Sequence, residues 1–239
     1  MELDFEKRHR LVREIIETAV LTLLMFLVIR VAVQNFMIDG TSMESTLHNR
    51  ELVLIDKWSY LFHAPQRGDV IVFVAPPIPT EDFIKRIIAV PGDVITVTNG
   101  QPTVNGVTLR EFYVAPGHLG AYVSDRPVNH EVVPPGDYFV MGDNRIGSYD
   151  SRSWGFVPMK NIIGQAALVY WPFKQDNDGL IANAASVFAN VPAPRVASSI
   201  PAPPTVLLEH TVRVNDAAML AIPSLLTLCL WYRKKYTRK

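Results

Sequence analysis

The longest apolar run near the start of the chain covers residues 18–33 and holds one charge, Arg30, near its far end. Apolar residues on both sides extend it to about the 20 residues that a helix needs to cross about 30 Å of hydrocarbon. Basic residues precede it, and positive charge favours the cytoplasmic side. We predict a cytoplasmic N-terminus at 1–17, a transmembrane anchor at 18–38 and a catalytic body outside the cytoplasm. A cleavable secretory signal and a buried core helix are the competing interpretations.

A second apolar run lies close to the other end, at residues 217–232, and is interrupted by Pro223. Its sixteen residues make about 24 Å of helix, and a basic tail follows directly. We predict a second transmembrane helix at 214–232 and a cytoplasmic tail at 233–239, in preference to a membrane-associated or buried helix. Residues 174–213 are rich in Pro and Ala, so we predict a linker that buries little apolar surface.

Between these ends, short apolar stretches alternate with turn residues, which is typical of β-strands. The pair Asn105-Gly106 predicts a tight hairpin, because both residues tolerate the positive φ of a type I′ turn. We predict a mostly β fold: an antiparallel β-sheet catalytic body over 39–173 with a small inserted subdomain at 110–131, flanked by the two transmembrane helices. The predicted strands are 52–55, 70–74, 83–90, 94–98, 138–141 and 166–171.

Composition removes several classes of function. Lys plus Arg equals Asp plus Glu at 23 each, so no basic surface points to nucleic acid. A single cysteine, Cys229, excludes disulfides and a zinc site built from cysteines. We expect no cofactor and no metal.

A serine nucleophile needs a general base, and none of the six histidines lies in a recognisable catalytic motif. Lys85 is another candidate, since strand alternation places it on one apolar face with Phe83, Ile87 and Ala89. Loss of hydration on such a face lowers the pKa of a lysine. Lowering the pKa of the amine from about 10.4 to about 8 corresponds to about 3.3 kcal/mol, an amount that burial alone can supply. From this strand alone, an ordinary edge-strand lysine is the favoured alternative.

Four sequence blocks follow the first apolar run in a fixed order. They are 40–47 (GTSMESTL), 67–73 (RGDVIVF), 85–93 (KRIIAVPGD) and 141–152 (MGDNRIGSYDSR). Together they resemble the bacterial signal peptidase I family of Ser–Lys endopeptidases, also called leader peptidases. The resemblance covers about residues 36–173.

The resemblance implies roles for individual residues. Ser42 is then the nucleophile, its backbone N–H an oxyanion donor, and Lys85 the general base. Ser148 is expected to hydrogen-bond the amine of Lys85. Two supporting ion pairs are implied, Asp143 with Arg86 and Asp150 with Arg152.

The chain departs from the family in three places. Ser45 stands where the family usually has proline, which predicts a less rigid loop after the nucleophile. Gly40 lacks the hydroxyl that completes the oxyanion hole in some members, so the second donor stays unassigned. Ile146-Gly147 replaces a pair that is usually polar.

Geometry supports the same function, because eight residues, 34–41, separate the apolar run from Ser42. Fully extended, they reach about 26–29 Å, which keeps the nucleophile close to the membrane. The resemblance implies, as partners, membrane lipid and the signal peptides of exported preproteins, cut after small residues in an A-x-A pattern at the plasma membrane. A specialised Ser–Lys peptidase with a restricted substrate and an inactive membrane-tethered β-domain are the alternatives.

Overall fold

A computed structural model describes residues 2–120, 126–172, 179–181 and 184–194, with side chains from residue 8 onward. The predicted second transmembrane helix, the basic tail, Cys229 and most of the predicted linker lie outside these residues.

The first apolar run forms a single long helix, α1, from Glu2 to Ala32. Its section Arg8–Ala32 has a mean hydropathy of 2.2 and is long and apolar enough to cross a membrane. None of that apolar window is buried against the protein, so the alternative of a buried core helix is wrong. The helix also ends earlier than predicted. Residues 33–37 pair with a strand of the body instead of completing the anchor.

The rest of the described chain is mostly antiparallel β-structure, as predicted. Seven strands form a large sheet in the order β1-β2-β11-β3-β4-β9-β10, and four form a small sheet in the order β7-β6-β5-β8. The strands are β1 (Val33–Met37), β2 (Leu52–Asp56), β3 (Val70–Val74), β4 (Asp82–Ala89), β5 (Val94–Thr98), β6 (Gln101–Val104), β7 (Val107–Thr108), β8 (Glu131–Val132), β9 (Asp137–Met141), β10 (Val157–Pro158) and β11 (Ile162–Trp171).

Short helical turns join some of these strands. Two are α-helical, α2 (Ser59–Phe62) and α3 (Ser151–Trp154), and three are 3₁₀ turns at Pro116–His118, Met159–Asn161 and Ala185–Phe188. The predicted hairpin is present: Asn105 and Gly106 have φ values of 51° and 84° between β6 and β7. A type I′ turn needs positive φ at both positions.

Strand β4, which carries Lys85, lies inside the large sheet between β3 and β9. The alternative of an edge-strand lysine is therefore wrong. The predicted alternation holds only in part, because the pairing with β9 shifts register between Ile87 and Ala89. As a result Ala89 packs in a different hydrophobic cluster from Ile87, so grouping Ala89 with the face of Lys85 was wrong.

The predicted insert at 110–131 is described except for residues 121–125. Apart from one 3₁₀ turn and the start of β8, its described residues are irregular. Tyr113 and Val114 are buried in the same cluster as Ile88 and Phe139. The described part of the insert therefore shares the hydrophobic core of the body.

One stretch of the predicted linker packs on the body instead of spacing it. We call residues 184–192 the C-terminal strap. Phe188 is 7% exposed and lies with Val191 in the cluster that contains Phe139. The carbonyl of Pro192 accepts hydrogen bonds from Arg67 and Asn105, both at 3.0 Å. The prediction failed here because the Pro- and Ala-rich average hid two well-placed apolar side chains.

Replacing Phe188 by alanine is expected to lower the free energy of unfolding by about 3 kcal/mol, because a buried aromatic side chain leaves a cavity. Chemical denaturation of the purified protein measures this change. Ser186→Ala, an exposed position in the same 3₁₀ turn, is the matched control and is expected to change stability little. Equal stability of the two variants would show that the strap contributes no core packing.

Candidate active site

The side chains of Ser42 and Lys85 meet, although 43 positions separate them in the chain. Lys85 Nζ donates hydrogen bonds to Ser42 Oγ at 2.7 Å and to the carbonyl of Ile84 at 2.9 Å. A hydroxyl and an amine at this separation can also bond in the reverse sense, with a neutral amine accepting from the hydroxyl. The pair therefore has the geometry of a nucleophile with its base.

Burial decides how readily the amine of Lys85 becomes neutral. The residue is 4% exposed, and loss of hydration lowers its pKa to about 8. The carboxylates of Asp150 and Asp143 act against this shift, whereas the positive charge of Arg152 adds to it. The Phe83 ring has its centroid 5.2 Å from Nζ, within the distance at which a ring face attracts an ammonium. The downward direction of the pKa shift is the one expected from the strand pattern.

This pKa predicts how the rate depends on pH. If neutral Lys85 is the base, activity rises as the amine loses its proton, so kcat/KM is expected to climb through a limb near pH 8. Cleavage rates between pH 6 and 10 measure the limb. Lys57→Ala is the matched control, because burial also lowers the pKa of Lys57, and it is expected to leave the limb in place. A limb near pH 10.5 would contradict the assignment of the base.

Ser42 stands in a short loop whose apolar residues anchor it to the body. We call residues 40–47 the nucleophile loop. Met43 and Leu47 are 1% and 0% exposed and pack in the cluster formed by Val53, Val70 and other residues. The amide of Leu47 donates to the carbonyl of Met43 at 2.8 Å. Two buried side chains joined by one turn therefore fix the backbone just after Ser42.

The segment after β9 holds the nucleophile loop from the other side. The amide of Asn144 donates to the carbonyl of Ser42, and its side-chain Nδ2 donates to the carbonyl of Thr41, both at 3.1 Å. A Cβ on Gly142 would overlap the carbonyl of Ser42 and the hydroxyl of Ser148. Only glycine permits this close approach. Sequence reasoning assigned no role to Asn144, whose position inside a motif block was its only signal.

Both ion pairs implied by the resemblance are present and buried. Arg86 makes a two-pronged contact to Asp143, at 2.9 and 2.7 Å, and Asp143 also accepts from Thr46 of the nucleophile loop at 2.5 Å. Arg152 contacts Asp150 at 2.8 Å. The carboxylate of Asp150 also accepts from the amide of Gly142 at 3.0 Å. The Arg86–Asp143 pair ties the segment after β9 both to β4 and to the nucleophile loop, and the Arg152–Asp150 pair braces that segment internally.

One expected contact is not formed. Ser148 Oγ is buried and has no hydrogen-bond partner among the described residues, so the predicted bond from Ser148 to Lys85 is wrong for this structure. The amine of Lys85 instead uses Ser42 and the carbonyl of Ile84. Ser148 nevertheless lies close to the site. A Cβ added to Gly142 would overlap both the hydroxyl of Ser148 and the carbonyl of Ser42, so the two groups are near each other.

The histidines of the described part of the chain lie away from Ser42 in the hydrogen-bond network. His48 contacts Glu51 at 3.2 Å, and His63 contacts the carbonyl of Ala64 at 3.1 Å. His118 reaches the nucleophile loop, but at Ser45. Sequence reasoning missed this last contact, because nothing in the local pattern around His118 indicates it.

Comparisons of the sequence with known proteins agree on one family. The family model described as "Signal peptidase, peptidase S26" matches residues 12–171. Signal peptidase I of Bacillus caldolyticus is 40% identical over 149 residues, which are 59% of this chain and 81% of that protein. Signal peptidase I U of Bacillus subtilis is 35% identical over 70% of this chain and 92% of its own length. A crystal structure of a signal peptidase I from Enterococcus faecalis, 32% identical, covers 43% of this chain and 97% of that one with a TM-score of 0.38.

Proposed function

The chain belongs to the signal peptidase family, peptidase S26, and is a serine peptidase; from this membership we propose that it removes N-terminal signal peptides from exported preproteins, with Ser42 as nucleophile and Lys85 as general base. The observation that carries the proposal is the 2.7 Å contact between Ser42 Oγ and a buried Lys85 amine. A buried lysine with a pKa of about 8 is the kind of base that a serine needs near neutral pH.

The chemistry uses one amine twice. Neutral Lys85 takes the proton of Ser42 as its Oγ attacks the scissile carbonyl carbon, and the ammonium then gives a proton to the departing amine of the mature protein. Water then attacks the resulting ester and loses a proton to Lys85. The bond to Ser42 Oγ breaks, the ammonium returns a proton to that oxygen, and the signal peptide leaves with a free carboxylate. The proposed oxyanion donor is the backbone N–H of Ser42, in the role that such amides serve in acyl transfer.

The other residues named from the resemblance serve as supports in this proposal. Arg86 with Asp143 and Arg152 with Asp150 hold the segment that contacts the nucleophile loop. Truncating one member of such a buried pair leaves the other charge without compensation, which makes these pairs sensitive to substitution.

Proximity to the bilayer suits a substrate whose own apolar segment lies in the membrane. Nine residues, 33–41, connect the end of α1 to Ser42, and they span at most about 30 Å. Five of them are already paired in β1. We propose that 1–17 is cytoplasmic, that α1 is the membrane anchor and that the body faces the extracytoplasmic side. The second transmembrane helix at 214–232 with a cytoplasmic tail belongs to the same proposal.

The proposal predicts which substrates are cut. A preprotein whose signal ends in A-x-A is expected to be cleaved by the full chain in detergent micelles. Replacing the alanine directly before the cut by leucine is expected to lower kcat/KM by about 100-fold, because the proposed preference for small residues implies a site that rejects added methylenes. Mass spectrometry of the product locates the cut, and replacement of the residue between the two alanines is the matched control.

Each other outcome has a definite meaning. Equal cleavage of the alanine and leucine substrates would overturn the proposed specificity. Cleavage of one natural preprotein among many would favour a specialised Ser–Lys peptidase. No cleavage of any preprotein by the folded full chain would favour an inactive tethered β-domain.

A further inference from the structure

Within the nucleophile loop, the residue with the least ordinary backbone is Ser45. Its φ is +92°, a conformation that residues with a Cβ rarely adopt and that surrounding contacts must hold. The residue is exposed, so core packing does not hold it. Ser42 lies three positions away, and a change of backbone at Ser45 therefore reaches the nucleophile through one turn.

Besides the backbone bonds within the loop, the hydroxyl of Ser45 supplies contacts that reach outside it. Ser45 Oγ lies 3.0 Å from Nδ1 of His118, and it accepts from the amide of Ala115 at 3.4 Å. Both partners belong to the predicted insert, more than 65 positions along the chain. The side chain of Ser45 thus joins the nucleophile loop to a different part of the fold.

His118 is itself held at both ends. Its amide donates to the carbonyl of Ala115 at 2.8 Å, and its carbonyl accepts from the amide of Arg145 at 3.0 Å. The guanidinium of Arg145 is buried and bonds to the carboxylate of Glu111 at 2.5 Å. The histidine therefore has a fixed backbone from which its ring reaches Ser45.

Together these contacts form a closed network of hydrogen bonds that includes the nucleophile loop. Asn144 binds the carbonyl of Ser42, and the next amide, that of Arg145, binds the carbonyl of His118. The ring of His118 then returns to Ser45. Two consecutive amides of one segment therefore hold the nucleophile loop, one directly and the other through the histidine.

We propose that Ser45 and His118 are positioning residues that orient Ser42 toward Lys85 by fixing the backbone of the nucleophile loop. This inference rests on the proposed function, because its effect is read through Ser42. The bond between Ser45 and His118 takes no part in the proton transfers. Its loss leaves the base and its pKa in place and allows the nucleophile to sample unproductive orientations.

The test uses four variants of the full chain with an A-x-A preprotein in detergent micelles. Ser45→Ala and His118→Ala are each expected to lower kcat by about 10-fold, since small misplacements of reacting groups are costly, with KM changed by less than about two-fold. The double variant is expected to be no slower than Ser45→Ala alone, because Ser45→Ala already removes the contact with His118. His118→Asn keeps a polar nitrogen near the position of Nδ1 and is expected to recover most of the lost kcat.

Two further variants separate the contact from other causes. Ser45→Gly removes the hydroxyl while relieving the positive φ, and we expect it to be as slow as Ser45→Ala. His63→Ala is the matched histidine control, because His63 contacts no residue of the nucleophile loop among the described residues, and it is expected to keep the wild-type kcat.

Several outcomes would overturn the inference: wild-type kcat in Ser45→Gly, additive losses in the double variant, or no recovery in His118→Asn. Ser42→Ala is run beside them. Activity in Ser42→Ala sinks the proposed function itself, whereas an inactive Ser42→Ala with wild-type rates for Ser45→Ala and His118→Ala sinks only the positioning role.

Discussion

Lys85→Met is expected to lower kcat/KM for preprotein cleavage by about 10²–10⁴-fold, the contribution of a positioned general base. Methionine keeps the length and apolar character of the lysine stem but offers no group that can take the proton of Ser42. The amine that it removes is 2.7 Å from Ser42 Oγ. Hydrolysis of a preprotein under saturating and limiting substrate measures the loss.

The same substitution is expected to make the protein more stable at neutral pH. In wild type, burial lowers the pKa of Lys85 from 10.5 to about 8, so below pH 8 the folded state carries a charge in an unfavourable place. The cost is about 3 kcal/mol at 1.36 kcal/mol per pKa unit. Because the unfolded state binds the proton more tightly, this cost disappears as pH rises from about 8 to 10.5. Lys85→Met is free of it throughout.

Activity and stability therefore move in opposite directions in Lys85→Met, which separates lost chemistry from lost folding. Urea denaturation at pH 7 measures the gain in the free energy of unfolding, and the same measurement at pH 10 shows how far that gain decreases. Lys85→Arg is a second comparison, since it keeps a charge that cannot be removed in this pH range, and it is expected to be inactive without the gain in stability. A Lys85→Met enzyme with near wild-type kcat/KM would refute the assignment of the base.

Ser42→Ala is expected to abolish cleavage, with a loss of at least about 10⁴-fold, because no other oxygen takes the place of its Oγ. Unfolding temperature is expected to stay close to that of wild type. The carbonyl of Ser42, which Asn144 binds, is unchanged in the variant, and the neighbouring Met43 and Leu47 remain buried. Single-turnover measurements with excess enzyme detect residual cleavage.

The double variant Ser42→Ala with Lys85→Met gives a second reading of the same pair. Groups that act as one unit are not additive, so the double variant is expected to be no slower than Ser42→Ala alone. Ser186→Ala, far along the chain and exposed, is the control for replacing a serine. Turnover by Ser42→Ala above a hundredth of the wild-type rate would exclude Ser42 as the nucleophile.

Much of the β-body could be predicted because its strands combine a period of two with clear turn residues. Strands β3 and β5 have the predicted bounds, 70–74 and 94–98, since a glycine-containing turn precedes each of them and either prolines or the pair Asn99-Gly100 follow. β1 was missed for a physical reason: Val33–Met37 follows the apolar run directly with no turn residue to mark a boundary, and only its pairing with β2 makes it a strand. The strap was missed in the same way, because Phe188 is held by a distant core.

The sequence by itself determined the chemical groups and their order: an apolar helix, a serine shortly after it and a lysine in an apolar strand. It also showed two Asp-x-Arg sequences, at 143–145 and 150–152, in the last block. Those features depend on side-chain type and local period, which a linear chain displays directly. Tertiary structure alone decided that Ser42 and Lys85 are 2.7 Å apart, that Lys85 lies inside a sheet, and that Ser148 makes no bond to it. Distances between residues far apart in the chain depend on how strands pair and how loops close, and no local pattern encodes them.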